Sequence, residues 1–189
     1  MSSHHVVKED QEPALLIADA SATPFPVVQE LLEWSPTIIV LEQALPDVLL
    51  WGIKIDVVIC RQNNVDRHVT TLNDQAPVKV LSHPDNENPL PTACYFLIAA
   101  KYCAVNVLGA GFEMLEPFAA HLDVVTFCEH KRWLYVRNGK FEKWITRGAK
   151  ILFPPTVISV DGLDANGVAA NDGTIRIVSD SAFWVGEEI

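Results

Sequence analysis

Residues 52–64 read GIKIDVVICRQNN, and this stretch decides the fold that we expect. The run 55–60 is largely apolar and β-branched, which is typical of a strand buried on both faces. It ends in a polar loop, residues 61–64, that holds one cation and three amides but no carboxylate. Open α/β sheets bind their ligands at such loops, beyond the carboxyl ends of the strands.

Similar apolar runs alternate with helical patterns on both sides of this stretch. Continuous apolar strands spaced by helices indicate a parallel sheet with helices on both faces. The predicted strands are 14–18, 37–41, 56–60, 78–81, 105–108 and 124–128, and the predicted helices are 26–34, 46–51, 92–102 and 114–121. We therefore expect residues 1–128 to form a Rossmann-like α/β domain of the nucleotide-binding type.

The pattern changes after Lys131 to short alternating segments separated by glycine and proline. Asn138-Gly139 and Asp172-Gly173 lie between β-type runs, and both dipeptides are strong hairpin signals. The sequence therefore predicts an all-β domain in residues 129–189, built as an antiparallel sandwich.

Composition limits the partners of this chain. It has 189 residues, 49% of them apolar, and 14 basic against 24 acidic side chains give a net charge of −10. That charge disfavours nucleic acid and anionic lipid, since both are negatively charged. We expect small molecules or proteins as partners.

The cysteines and the N-terminus predict a cytoplasmic protein. Four scattered cysteines without a CxxC pair are typical of free thiols in a reducing compartment; they are Cys60, Cys94, Cys103 and Cys128. The first 13 residues lack the apolar core of a signal peptide and read as a frayed, charged lead-in. Residues 93–112 are apolar enough to suggest a membrane span, but Lys101 and Asn106 interrupt them. A buried helix followed by a buried strand is the better interpretation.

Gly109-Ala110-Gly111 follows a predicted strand and opens a predicted helix. A dinucleotide or S-adenosylmethionine turn is one interpretation, although Met114 stands where such a motif has its third glycine. A tight strand-to-helix turn explains the same residues.

The loop 83–91 contains Asp85-Asn86-Glu87. Its oxygen atoms could hold Mg²⁺. A solvated loop rich in turn-forming residues is the competing interpretation.

Several short motifs are shared with one known family. They are IADASATP at 17–24, GIKIDVVI at 52–59, VLGA at 107–110, VDGL at 160–163, Gly167, and Ser179-Asp180. They resemble segments of thiamine pyrophosphokinase, in matching order, from about residue 14 to the end of the chain.

This resemblance implies an α/β domain joined to a C-terminal β-sandwich, in a homodimer with its sites between subunits. It implies ATP and Mg²⁺ as cofactors if the chain is active, with thiamine as the substrate. Ser179 and Asp180 correspond to residues that help bind thiamine. The nucleotide would lie at Arg61, Gln62, Asn63, Asp85 and Thr92.

The sequence departs from the family where the chemistry takes place. Glu42-Gln43-Ala44 stands for an Asp-Gly-Ala turn, and CRQNN at 60–64 stands for Gly-Asp-Phe-Asp-Ser. Thr92-Ala93 replaces Thr-Asp, and residues 111–116 replace the turn Gly-Gly-Arg-x-Asp-His. Pyrophosphoryl transfer needs carboxylates to hold its metal ion, whereas amides do not offset the ion's charge and Arg61 repels it.

We therefore predict a catalytically degenerate thiamine pyrophosphokinase homologue, with no catalytic residue and no metal site. Arg61 and its neighbouring amides then form an anion clamp that needs no Mg²⁺. A surface ion pair between Arg61 and a nearby acid is the competing interpretation.

Two other functions stay open at this point. An active pyrophosphokinase would hold its metal through relocated ligands, drawn from Asp85, Glu87, Glu113 and Glu116. A methyltransferase or dehydrogenase would instead bind its cofactor at residues 109–111.

Overall fold

The computed structural model describes residues 12–189; the predicted lead-in lies almost entirely outside this range. The strands are β1 (Ala14–Ile17), β2 (Ile38–Leu41), β3 (Val57–Arg61), β4 (Lys79–His83), β5 (Ala104–Leu108), β6 (Asp123–Cys128), β7 (Lys131–Val136), β8 (Lys140–Ile145), β9 (Ile151–Leu152), β10 (Ser159–Asp161), β11 (Gly173–Val178) and β12 (Phe183–Glu188). The α-helices are α1 (Phe25–Leu32), α2 (Leu45–Leu50), α3 (Val65–Thr71), α4 (Pro89–Ala99) and α5 (Phe112–Leu115).

A nine-stranded sheet runs through the molecule in the order β4-β3-β2-β1-β5-β6-β7-β12-β9. Its first six strands are parallel, and Leu16 of the central strand pairs with Ile39 on one side and Val107 on the other. The last three strands are antiparallel. The predicted α/β layer is therefore confirmed.

Helices cover both faces of the parallel strands. On one face α4 and α5 bury Leu16 and Ile59, and on the other α1 and α2 bury Ile17 and Val40. These strand residues alternate between the two faces, so strands that are apolar at every position are buried throughout.

A second sheet, in the order β10-β11-β8, packs against the antiparallel end of the large one. Between them lies a separate core that includes Phe141, Ile177 and Phe183. The short alternating segments predicted in the C-terminal third are strands β7 to β12, and the predicted antiparallel sheet is present. Because β6 and β7 pair through a tight turn at Glu129 and His130, the large sheet runs across the predicted boundary at 128/129. The division into two domains stays a prediction.

Three details of the predicted elements are wrong. Neither Asn138-Gly139 nor Asp172-Gly173 closes a tight hairpin, since β7 and β8 belong to different sheets and residues 162–172 separate β10 from β11. The helix predicted at 114–121 is only a short turn of α-helix followed by the 3₁₀ turn Glu116–Phe118, which contains Pro117. Helix α4 begins at Pro89 rather than at Thr92, because the Asn88 side chain accepts a hydrogen bond from Leu90 N and caps it.

Helix α3 is absent from the prediction. Its sequence, VDRHVTT, is rich in β-branched residues, which are poor helix formers. Tertiary packing overrides this preference. Among residues 12–189, no helix is long and apolar enough to cross a membrane.

Candidate functional site

The carboxyl ends of β2, β3 and β4 form what we call the polar edge, made of Glu42, residues 61–64, His68 and Asp85. Parallel strands bring their ends to one side of the sheet, so these residues from distant parts of the chain converge there. The loops are tied together by hydrogen bonds between side chains and backbone.

Glu42 is the centre of these hydrogen bonds. One carboxylate oxygen accepts from Asn64 Nδ2 at 2.6 Å and lies 2.8 Å from His68 Nε2, while the other accepts from Arg61 N at 3.0 Å. Only 20% of its side chain is exposed. The carboxylate is thus enclosed by three donors from β3 and the chain that follows it.

These contacts keep Glu42 ionised. Burial raises the pKa of its carboxyl, but the hydrogen bonds with His68, Arg61 N and Asn64 outweigh burial and lower the pKa below its ordinary value. Glu42 is therefore an internal counter-charge that fixes the loop, because its oxygens already accept from the protein.

Asp85 is held in a similar way. Its carboxylate accepts a hydrogen bond from Asn63 Nδ2 at 2.7 Å, which joins the loop after β3 to the loop after β4. Two of the three amides noted in the sequence, Asn63 and Asn64, therefore donate to carboxylates. This is why the loop carries amides: they satisfy acids that come from neighbouring strands.

Arg61 is different, because its backbone rather than its side chain makes the contact with Glu42. The side chain is exposed, and within the described part of the chain its guanidinium forms no ion pair. Within residues 12–189, the competing interpretation, a surface ion pair at Arg61, is therefore wrong.

The predicted nucleotide residues lie on neighbouring elements. Arg61, Gln62 and Asn63 follow directly on β3, Asp85 follows β4, and Thr92 is in the first turn of α4. Gln62 is exposed and directly follows Arg61 in the chain.

The predicted thiamine residues lie elsewhere. Ser179 N donates a hydrogen bond to Gly139 O, in the turn that follows β7. Arg137, in the same turn, forms an ion pair with Asp123 at the start of β6. Ser179 and Asp180 are therefore at the amino ends of the parallel strands, and β7 is five strands, or about 24 Å, from β3. One chain does not bring them to Arg61.

The relocated metal ligands are also apart. Asp85 and Glu87 follow β4, whereas Glu113 and Glu116 follow β5, and the ends of these strands lie four positions or about 19 Å apart. In residues 12–189, no group of three or more His, Cys, Asp or Glu side chains could hold a metal ion. The polar edge does not fit Mg²⁺, because Glu42 is already satisfied and Arg61 adds positive charge.

The glycines at 109–111 have a packing explanation. Gly109 has φ +81°, and a Cβ built there would lie 2.4 Å from Asp19 Cβ. The turn is glycine because it packs against the loop after β1. Helix α5 has only four residues, so it offers little N-terminal dipole for a cofactor phosphate.

A second feature lies on the same sheet at β7 and β12. We call it the aromatic cleft: a depression of about 410 Å³ lined by Phe112, Glu116, Trp133, Leu152, Phe153, Pro154, Thr156, Ala182, Phe183 and Trp184. The Phe112 ring centroid lies 4.4 Å from that of Trp133 and 5.5 Å from that of Trp184. The cleft was not predicted from the sequence.

Comparisons with known proteins give results at the level of the fold. No protein-family model matches the sequence, and no curated protein matches it. Solved structures do match. A probable thiamine pyrophosphokinase from Staphylococcus saprophyticus has a TM-score of 0.65 at 13% identity, over 93% of this chain and 98% of that one. The yeast thiamin pyrophosphokinase gives 0.70 at 9% identity, over 96% and 87%.

The fold is that of the thiamine pyrophosphokinases. The Candida albicans thiamin pyrophosphokinase agrees, with a TM-score of 0.67 at 8% identity over 96% of this chain and 90% of that one. The resemblance drawn from short motifs is thus confirmed for the architecture. Identities of 7–13% show the thiamine pyrophosphokinase fold alone and carry no residue roles with them.

The contact between Glu42 and His68 was not predicted from the sequence. One signal was available, because Asn64 and His68 are four residues apart and so share a face where α3 begins. For the aromatic cleft, Trp133 and Tyr135 alternate on β7, which places both rings on one face of the strand.

Proposed function

We propose that this protein is a catalytically degenerate member of the thiamine pyrophosphokinase fold that binds a small anion, such as a phosphate or a nucleotide, at Arg61. The proposal rests on which charged groups of the polar edge already have partners within the protein. Its carboxylates accept hydrogen bonds from the protein, while its guanidinium has no partner among the described residues.

Pyrophosphoryl transfer needs a divalent ion to spread the phosphate charge, and carboxylates to hold that ion. A metal ion could reach Glu42 only by displacing donors, and a hydrogen bond to a charged group contributes about 1.5–3 kcal/mol. Arg61 would add repulsion. Both effects oppose binding of Mg²⁺ and so oppose transfer.

The same arrangement favours an anion. A guanidinium presents five donors in a planar fork that matches phosphate oxygens, and it needs no metal ion to do so. Gln62 and the exposed side of Asn63 add neutral donors next to it. Glu42 already fixes the backbone at Arg61, so the loop loses less conformational entropy when an anion binds.

We propose that the protein works as a homodimer in the cytoplasm, with a thiamine-like small molecule as a second ligand. Ser179 and Asp180 lie far from Arg61 in one chain, so a combined site would require a second copy. The cysteines are free thiols, as a reducing compartment allows.

The binding test compares two arginines in a thermal-shift and calorimetric titration with AMP, ATP and inorganic phosphate, each with and without Mg²⁺. Arg67 is the matched control, since it is an exposed arginine on the adjoining helix α3. We expect Arg61→Gln to weaken anion binding about tenfold and Arg67→Gln to leave it nearly unchanged. Equal effects of the two substitutions would mean that general electrostatic attraction, and not a site, binds the anion.

The catalytic part is tested by release of AMP from ATP and thiamine in the presence of Mg²⁺. We expect none above background. Turnover at ordinary enzyme rates, on the order of 1 s⁻¹ or more, would overturn the proposal.

A further inference from the structure

The aromatic cleft carries an inference that is independent of the proposed function. Phe112 and Glu116 of its lining belong to the segment that replaces the family's glycine-rich turn, but none of the residues that the resemblance implies for nucleotide or thiamine lines it. Its rings Trp133 and Trp184 lie on the face of β7 and β12 opposite to the sandwich core, whereas Phe153 and Phe183 border the cleft from the edge of that core.

The lining of the cleft combines aromatic rings with one charge. Phe112, Trp133, Phe153 and Trp184 supply ring surface, and the first three are only half-buried. Glu116 supplies a carboxylate, which is exposed and forms no ion pair within residues 12–189. No Lys, Arg or His of the described chain lines the cleft.

This composition selects among ligand classes. An anion would be repelled by Glu116, and a metal ion would find a single carboxylate where it needs several oxygens. A neutral apolar molecule would cover the rings but gain nothing from the carboxylate. An organic cation satisfies both parts of the lining, because aromatic faces attract cations and the carboxylate offsets the charge.

The size of the cleft agrees with such a ligand. Small-molecule sites usually occupy about 300–1,000 Å³, and the cleft has about 410 Å³. Bulky alkylated ammonium ions fit aromatic surroundings better than a bare ammonium, since they are weakly hydrated and lose little on leaving water. The net charge of −10 further raises the local concentration of cations.

We propose that the aromatic cleft binds an N-alkylated ammonium ion, with its cationic head against Trp133 and its neighbouring rings and with Glu116 as the counter-charge. The ligand binds reversibly and no covalent step takes place.

Choline and its neutral isostere 3,3-dimethylbutan-1-ol test this proposal on the full chain. The two compounds differ only in the replacement of the quaternary nitrogen by carbon, so the difference in their affinities measures the contribution of the charge. The five indole N–H signals of the ¹⁵N-labelled protein report where each compound binds. We expect saturable shifts of Trp133 and Trp184, no shift of the distant Trp144, and affinity for choline about tenfold above that of the isostere.

Glu116→Gln separates charge from shape, and Glu113→Gln is its matched control. Glu113 is an exposed acid three residues away that does not line the cleft. We expect Glu116→Gln to weaken choline binding about three- to tenfold, to leave the isostere unchanged, and Glu113→Gln to change neither.

Three results would overturn the proposal. Equal affinity for the two compounds, or none for either, would leave an apolar depression without a cation site. Shifts of all five indoles that do not saturate would indicate adventitious binding only. Trp133 and Trp184 signals that move on dilution of the protein alone would identify this face as an interface between copies of the chain.

Discussion

The polar edge and the aromatic cleft lie at different ends of one sheet, and they use their acids in opposite ways. At the polar edge Glu42 accepts from three donors and Asp85 from one. At the cleft Glu116 has no ion-pair partner among residues 12–189, and half-buried rings surround it. Whether an acid in such a position can bind a ligand therefore depends on the hydrogen bonds that it already accepts from the protein.

The difference between the acids of the two regions has a physical reason. A carboxylate that is held by protein donors gains stability for the fold and loses its capacity to bind a ligand, since the same lone pairs serve both purposes. The carboxylates of the polar edge therefore have fewer lone pairs left for a ligand. The aromatic cleft keeps half-buried rings and an exposed carboxylate that a ligand can cover.

The largest expected effect concerns the rigidity of the strand ends. A methyl group at Gly109 would meet Asp19, including its backbone, at 2.4–2.9 Å, and φ is +81°. We expect Gly109→Ala to lower the free energy of unfolding by about 3 kcal/mol or more, measured by urea denaturation. Gly186→Ala should cost less, about 1–2 kcal/mol, because its methyl group meets the Trp133 side chain and no backbone atom, at an ordinary strand conformation.

Gly52→Ala is the control for backbone strain alone. Its φ is +67°, but nothing lies within 4 Å of a Cβ built there. We expect a cost of about 1 kcal/mol. If Gly109→Ala costs no more than this control, the loops after β1 and β5 are not tightly packed, and the contrast with the cleft disappears.

Glu42→Gln should have the next largest effect. The amide presents an N–H₂ group to a site where every neighbour donates, so at least one donor loses its acceptor. We expect a loss of about 2 kcal/mol at neutral pH. Glu30→Gln, at an exposed position of α1, should change the free energy of unfolding by less than about 0.5 kcal/mol.

The pH dependence of this loss follows from the lowered pKa of Glu42. A group whose pKa is lower in the folded protein stabilises it above the unfolded pKa, and this stabilisation is lost as the pH falls through the folded pKa. The difference between wild type and Glu42→Gln should therefore shrink in acid, below the ordinary pKa of 4.5. A difference that stays constant down to the acid limit of folding would show that Glu42 carries no linked charge.

The sequence predicted the positions of the parallel strands well, because apolar runs such as residues 55–60 and 105–108 are stable only when they are buried between helices. It failed for α3, where packing overrides poor helix propensity, and at Asn138-Gly139, where a favoured turn joins two sheets. Local patterns report local conformation, and neither error could be corrected without long-range contacts.

Prediction of the site from the sequence has the same limit. Placement of Arg61, Asn63 and Asp85 at one edge could be predicted, since parallel strands share the direction of their ends. The contact between Glu42 and His68 could not, because it joins residues 26 positions apart through the geometry of two loops. The roles assigned to Thr92, Ser179 and Asp180 stay predictions.

Paramagnetic Mn²⁺, added without nucleotide to the ¹⁵N-labelled protein, tests most directly whether the acids of the polar edge are closed to metal ions. Bound Mn²⁺ broadens the amide signals of residues close to it. We predict that stoichiometric Mn²⁺ broadens the signals of Glu42, Asn64 and Asp85 no more than that of the exposed Asp180. Selective broadening of Glu42 and Asp85 that disappears in Glu42→Gln would contradict the proposal, because it would show a metal site at the polar edge.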